Sequence, residues 1–113
     1  MRRFQQDLKR FEGVVDRVYK DHLGYKTCCV GHLLVRGDRY YLSPVGTPVP
    51  AWQRDAYLSR DSANALRDSR RLYGDFNRLP SEVQLIIADM MFNLGYSRLS
   101  KFRKMKAAVQ RQD

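Results

Sequence analysis

The 113 residues carry 21 Lys and Arg against 12 Asp and Glu, a formal net charge of +9, with 43% hydrophobic and 12% aromatic side chains. That is one domain's worth of chain, long enough to bury a core without staples, and its composition excludes collagen-like, coiled-coil and disordered classes. No apolar run approaches the ~18 residues of a membrane span, and no apolar stretch follows the basic N-terminus to complete a signal segment, so a soluble protein kept in a cytosol is expected. The positive excess predicts attraction to a polyanion: nucleic acid, an anionic membrane face or an anionic cell-wall polymer. Cys28 and Cys29 are neighbours. A bridge between adjacent residues departs from the usual Cα separation, so both are expected as reduced thiols.

Phe4, Leu8 and Phe11 recur at i, i+4 and i+7, which predicts an amphipathic helix over 3–12 ended by Gly13. The stretch Val14–His32 is rich in β-branched and aromatic residues and is broken at His22-Leu23-Gly24, which predicts a hairpin. Gly37, Pro44, Gly46, Pro48 and Pro50 exclude a regular helix from 35–50, so the β-rich part, 14–50, ends irregularly. Over 51–73, Trp52, Ala56, Ser59, Ala63, Leu66 and Tyr73 define one inward stripe of a long or broken helix, with Arg54, Arg60, Arg67 and Arg71 mostly off it. That helix is expected to bridge two lobes. Pro80-Ser81-Glu82-Val83-Gln84 opens the next helix, with Ser81 as N-cap and Gln84 completing a capping box, and Gly95 closes it. Its interior from Val83 to Leu94 is apolar nearly all round, which calls for other helices about it. A last helix over about 98–112 would turn Leu99, Phe102, Met105 and Val109 inward and Lys101, Arg103, Lys104, Lys106 and Arg111 outward.

The chain has only two glutamates, Glu12 and Glu82. Glu12 stands at a helix end beside Phe11, Val14 and Val15; the negative field of a helix C-terminus and loss of solvent would both push its carboxyl pKa upward, as a general acid requires. Asp21 follows nine residues later, and only a folded-back chain brings it near. A three-residue loop at His22-Leu23-Gly24 pairs Asp21 with Tyr25 and Tyr19 with Thr27, so Tyr19, Asp21 and Thr27 share a face; a two-residue loop would turn Thr27 away. An acid facing a carboxylate and a hydroxyl is the equipment of an inverting glycosidase, in which the second carboxylate activates water. The plainer readings are a solvated helix-end Glu and an ordinary turn Asp.

Phe11-Glu12-Gly13, Tyr19-Lys20-Asp21, Gly24-Tyr25-Lys26-Thr27 and Val30-Gly31-His32 resemble the N-terminal signature of the phage-type lysozymes, which runs Glu-Gly, Tyr-x-Asp, Gly, Thr and Gly-His at these spacings. The run Ala88-Asp89-Met90-Met91-Phe92-Asn93-Leu94-Gly95, followed by Leu99-Ser100-Lys101-Phe102, resembles that family's central helix and the segment after it. The resemblance spans the chain, strongly at 8–34 and 81–105 and weakly at 35–80. It implies one α+β, lysozyme-like domain over 1–113: a small antiparallel β lobe joined by the long helix to a mainly helical lobe at 80–113, with a sugar cleft between. It further implies Glu12 as general acid, Asp21 and Thr27 orienting the attacking water, His32 paired with Asp61 as a structural couple, and Leu33 and Phe92 lining the sugar groove. Leu33 and Phe92 read equally well as core.

The implied activity is that of a bacteriolytic, antimicrobial endolysin or virion muramidase. It would cut the β-1,4 bond from N-acetylmuramic acid to N-acetylglucosamine in anionic peptidoglycan, without metal or other cofactor. A phage-encoded chain would start in the host cytoplasm and reach the wall after release. Two departures stand out. Where the family reads Thr-x-Gly-x-Gly-His this chain has Thr27-Cys28-Cys29-Val30-Gly31-His32, so a side chain replaces glycine; if that position needs positive φ it costs about 1 kcal/mol. Family members also continue past the position of Asp113 with a Trp-containing stretch and further helices. A monomer is expected unless a partner chain completes the helical lobe. The chief rival is an inactive lysozyme scaffold that binds wall or another partner. A basic nucleic-acid binder lacks any recognition motif beside its Arg-rich faces. A cysteine nucleophile or zinc site from Cys28, Cys29, His22 and His32 lacks ligand spacing.

Overall fold

A computed structural model describes residues 2–101, in an α+β fold. Helix α1 (Arg2–Glu12) leads into strands β1 (Val15–Lys20), β2 (Lys26–Cys29) and β3 (His32–Leu33); α2 (Ala51–Leu72), a 3-10 turn at Phe76–Arg78 and α3 (Ser81–Ser100) follow. The strands form one antiparallel sheet in the order β1-β2-β3. Two compact units divide inside α2, between Ser62 and Ala63.

In the first unit α1 buries Phe4 and Leu8 and ends at Gly13, whose φ of +78° lets its N–H reach back to the Lys9 carbonyl at 3.1 Å. The hairpin takes the three-residue loop. Tyr19 pairs with Thr27 and Lys20 with Lys26, the Asp21 N–H donates to the Tyr25 carbonyl, and the Gly24 N–H to the Asp21 carbonyl, both at 2.9 Å. Nearer α1, Val15 pairs with Cys29, so three residues of β1 oppose Cys28 alone and the strand bulges. The groups freed by the bulge bond to the returning chain: the Val18 N–H donates to the Thr47 carbonyl at 2.9 Å and the Val49 N–H to the Asp16 carbonyl at 3.0 Å. The irregular 35–50 stretch thus covers the outer edge of β1. Val18, Cys28, Cys29, Leu34, Val49 and Tyr57 form the core beneath the sheet.

Helix α2 is continuous, but it buries a different face from the expected stripe. Trp52 is 61% exposed, and Ala56, Ser59 and Ala63 are exposed, whereas Tyr57, Leu58, Ser62, Ala65, Ser69 and Leu72 are buried. Two serines misdirect a hydropathy reading: Ser62 Oγ donates to the Leu58 carbonyl at 2.6 Å and Ser69 Oγ to the Ala65 carbonyl at 2.8 Å. With each hydroxyl satisfied inside its own helix, the side chain packs as a small residue.

The second unit buries Ala65, Ser69, Leu72, Phe76, Ala88, Met91 and Leu99. The expected capping box at Ser81 is absent, because Pro80 is the N-cap and makes no side-chain cap bond. Gln84 instead turns back, its Nε2 donating to the Leu79 carbonyl at 2.8 Å and the Asn77 carbonyl at 3.3 Å, where the 3-10 turn leaves acceptors free. Gly95, at φ +77° and ψ +166°, breaks α3 into two helical pieces. The expectation that α3 is enclosed on every side fails for Val83, Ile86 and Met90, which are exposed. Phe102, Met105, Val109 and the basic residues from Arg103 onward lie outside the described residues.

Candidate active site

Glu12 closes α1, and Gly31 is what crowds its carboxylate. A Cβ built on Gly31 would lie 3.3 Å from Glu12 Oε2, and Gly31 sits at φ +60°, so close approach and backbone conformation both call for glycine. Of the three apolar residues expected to shield it, Phe11 and Val14 are 70% and 44% exposed and Val15 is half-buried. Tyr19 marks the neighbourhood electrostatically. Its phenol pKa is pushed up by burial first, then by the charges of Asp21 and Glu12.

Asp21 and Thr27 both bond to the backbone of Tyr25, one to its N–H and the other to its carbonyl. Asp21 Oδ1 accepts the N–H of Leu23 and of Tyr25, both at 2.9 Å, while Thr27 Oγ1 donates to the Tyr25 carbonyl at 3.0 Å. Two amides therefore fix the carboxylate. The buried Thr27 hydroxyl has spent its proton, which leaves its lone pairs to accept from a water. Leu33 is half-exposed and lies opposite Thr27 in the sheet. Phe92 belongs to the second unit, half-buried on α3.

Below the hairpin, His32 lies between two carboxylates. Nδ1 is 2.6 Å from Asp61 Oδ2 and Nε2 is 3.1 Å from Asp38 Oδ2, so the imidazolium, with two N–H donors, is the form that satisfies both. Its ring stacks on Tyr57 at 4.0 Å, and Arg60 lies 5.3 Å from the Tyr57 centroid and 3.6 Å from Asp38 Oδ1. Burial opposes the charge on His32, but the bonds and charges of Asp61 and then Asp38 outweigh it and raise the imidazole pKa. Burial likewise opposes ionisation of Asp38, yet the Val35 N–H, His32 and Arg60 bring its pKa below the usual value. Sequence reasoning missed Asp38. The available signal was that it is the sole carboxylate between Asp21 and Asp55, set next to Gly37 in a turn.

Cys28 and Cys29, expected as reduced thiols, are joined as a disulfide. An extended strand would send neighbouring sulfurs to opposite faces; Cys29, at φ +69°, is the only described non-glycine residue with positive φ, and this turn brings them together. The conformation suited to glycine is thus present at Cys29, immediately after the strand position that follows Thr27. Among the described residues no three His, Cys, Asp or Glu side chains gather as metal ligands, and no helix is long and apolar enough to cross a membrane.

Phage lysozyme is the family whose model matches residues 9–113, and the chain belongs to that family. It is similar to a curated relative from Dictyostelium discoideum, described as "Probable T4-type lysozyme 2". The two are 25% identical over 122 residues, covering 91% of this chain and 72% of that one.

Proposed function

We propose that the protein is a muramidase hydrolysing the bond between N-acetylmuramic acid and N-acetylglucosamine in peptidoglycan, of the phage endolysin or virion type. The observation that carries this reading is the anchoring of Asp21 and Thr27 on the N–H and the carbonyl of Tyr25, within the charge neighbourhood that Glu12 and Asp21 share at Tyr19. Glu12 delivers its proton to the leaving glycosidic oxygen as the bond to the muramic anomeric carbon breaks. A water held by the Thr27 lone pair attacks that carbon and passes its proton to Asp21, whose Oδ1 the two amides hold in place. Attack opposite the leaving group inverts the anomeric centre. Leu33, opposite Thr27 in the sheet, contributes apolar contact to the sugar strand. His32 with Asp61 holds β3 to α2, and no metal or cofactor takes part. The net charge of +9 favours an anionic polymer.

A second reading, an inactive scaffold that binds wall, draws on Cys29: a side chain in the left-handed region two residues from Thr27 stresses the strand that carries the hydroxyl. Borohydride reduction of digestion products followed by mass spectrometry separates the readings. Muramitol ends support the muramidase; glucosaminitol ends, or wall binding without new ends, contradict it.

A further inference from the structure

Cys28 and Cys29 stand where β2 turns into β3, between residues that meet the two halves of the candidate site. Cys28 pairs with His32 across the sheet, leaving Cys29, Val30 and Gly31 to close the hairpin. Thr27 directly precedes the bridge, and Gly31, at the far end of the turn, is the residue that crowds the Glu12 carboxylate. Cys29 also pairs with Val15, three residues beyond Glu12, and so ties the turn to the chain leaving α1. One backbone angle links bridge to site. Cys29 is held at φ +69° while its sulfur is bound to that of Cys28, and an L side chain freed from such a restraint favours the extended region instead.

We propose that the Cys28–Cys29 bridge is a redox switch on the active site: when oxidised it fixes the turn that sets Gly31 against Glu12 and holds Thr27 in register, and when reduced it lets Cys29 extend and the turn slacken. The inference rests on the muramidase reading for the activity that is switched. Reduction breaks the bond between the two sulfurs. Two glutathione thiols supply two electrons and two protons, leave as one glutathione disulfide, and Cys28 and Cys29 become thiols; glutathione disulfide reverses the exchange. The change stays local, because His32 on the far side of the turn is held by Asp61 and Asp38 at 2.6 and 3.1 Å whatever the state of the sulfurs. Both cysteines are buried, so exchange waits on opening of the hairpin, and the bridge records the compartment rather than a brief fluctuation. A chain made among cytosolic thiols is thereby held slack and tightens on the oxidising side of the membrane, where the wall lies.

The full chain is measured in its bridged form and after dithiothreitol, with the state of the sulfurs read by mass after alkylation in denaturant and activity read as reducing-end release from peptidoglycan. Reduced wild type should turn over about tenfold more slowly than bridged, the scale of one left-handed residue's conformational penalty. Cys29→Ser, which keeps a side chain and can form no bridge, should match reduced wild type with or without dithiothreitol. Cys29→Gly, which accepts the angle unaided, should change by less than about twofold on adding it. Equal rates for the two states of wild type, or a Cys29→Gly variant that slows as much as wild type does, overturn the proposal, and so does a bridge that excess dithiothreitol leaves intact in the folded chain. Amide NMR of the two states keeps the switch separate from the reaction. If bridged wild type releases no ends, the muramidase reading fails; shifts at the Thr27 and Gly31 amides on reduction, with Tyr19 and Lys20 unmoved, then support the switch, and their absence overturns it.

Discussion

Replacing Asp38 by Asn tests the two-sided clamp on His32. The amide keeps the size of the carboxylate and can still accept the Val35 N–H, so the main loss is one charge facing the imidazolium across 3.1 Å. The Asp38 side chain is only 8% exposed, so solvent screens little of that interaction, and a bond of this kind contributes about 2 kcal/mol. The pH dependence follows from the two shifts. His32 has a folded pKa raised above 6.5, so its contribution is complete below that value and is lost as pH rises through the folded pKa. Asp38 has a folded pKa depressed below 3.8, so its contribution is complete above that value and is lost as pH falls through the folded pKa. Between these limits both groups are charged and the variant should fall about 2 kcal/mol below wild type. Above the His32 folded pKa the neutral ring turns a lone pair to one carboxylate, and the difference between the proteins should shrink. Urea unfolding of both, followed by Trp52 fluorescence from pH 5 to 10, gives the two curves. A gap of constant size across that range would refute the reasoning, because it would assign the loss to packing rather than to charge.

Gly31→Ala places a Cβ against the Glu12 carboxylate and in a left-handed backbone, which should cost about 1–2 kcal/mol and slow hydrolysis by displacing Glu12; thermal unfolding and reducing-end release measure the two effects. Under dithiothreitol, Cys29→Gly should lie within about 1 kcal/mol of reduced wild type, because relief of the strain at φ +69° offsets the loss of a buried side chain; urea unfolding measures the difference. Iodoacetamide should label neither cysteine of the native, unreduced chain, with intact mass as the readout. Ser69→Ala should stay within about 0.5 kcal/mol of wild type, because the hydroxyl bonds only to its own helix, while Ser69→Leu should lose roughly 1–3 kcal/mol by overfilling a fully buried position.

The hairpin was legible because its signals are local. Gly24 supplies the left-handed turn residue, Asp21 accepts turn amides, and the Tyr19 to Thr27 register follows from loop length alone. The pairing of Val15 with Cys29 was not, because the bulge in β1 answers to Thr47 and Val49 some thirty residues away. The inward face of α2 was misread for a related reason: Ser62 and Ser69 score as polar until their hydroxyls are seen to bond within the helix. His32 and Asp61 were readable from a resemblance, whereas Asp38, which completes the clamp, depends on how the 35–40 turn folds under β3. The disulfide of Cys28 and Cys29 depends on a single backbone angle that no spacing encodes.

Glu12 carries the proposed chemistry most directly. Reducing-end release from purified peptidoglycan is measured for wild type and Glu12→Gln at equal salt, with circular dichroism and wall pull-down as controls. The amide keeps the shape and removes the transferable proton, so release should fall by at least about 100-fold while fold and wall binding persist. Release by Glu12→Gln at the wild-type rate would contradict the account.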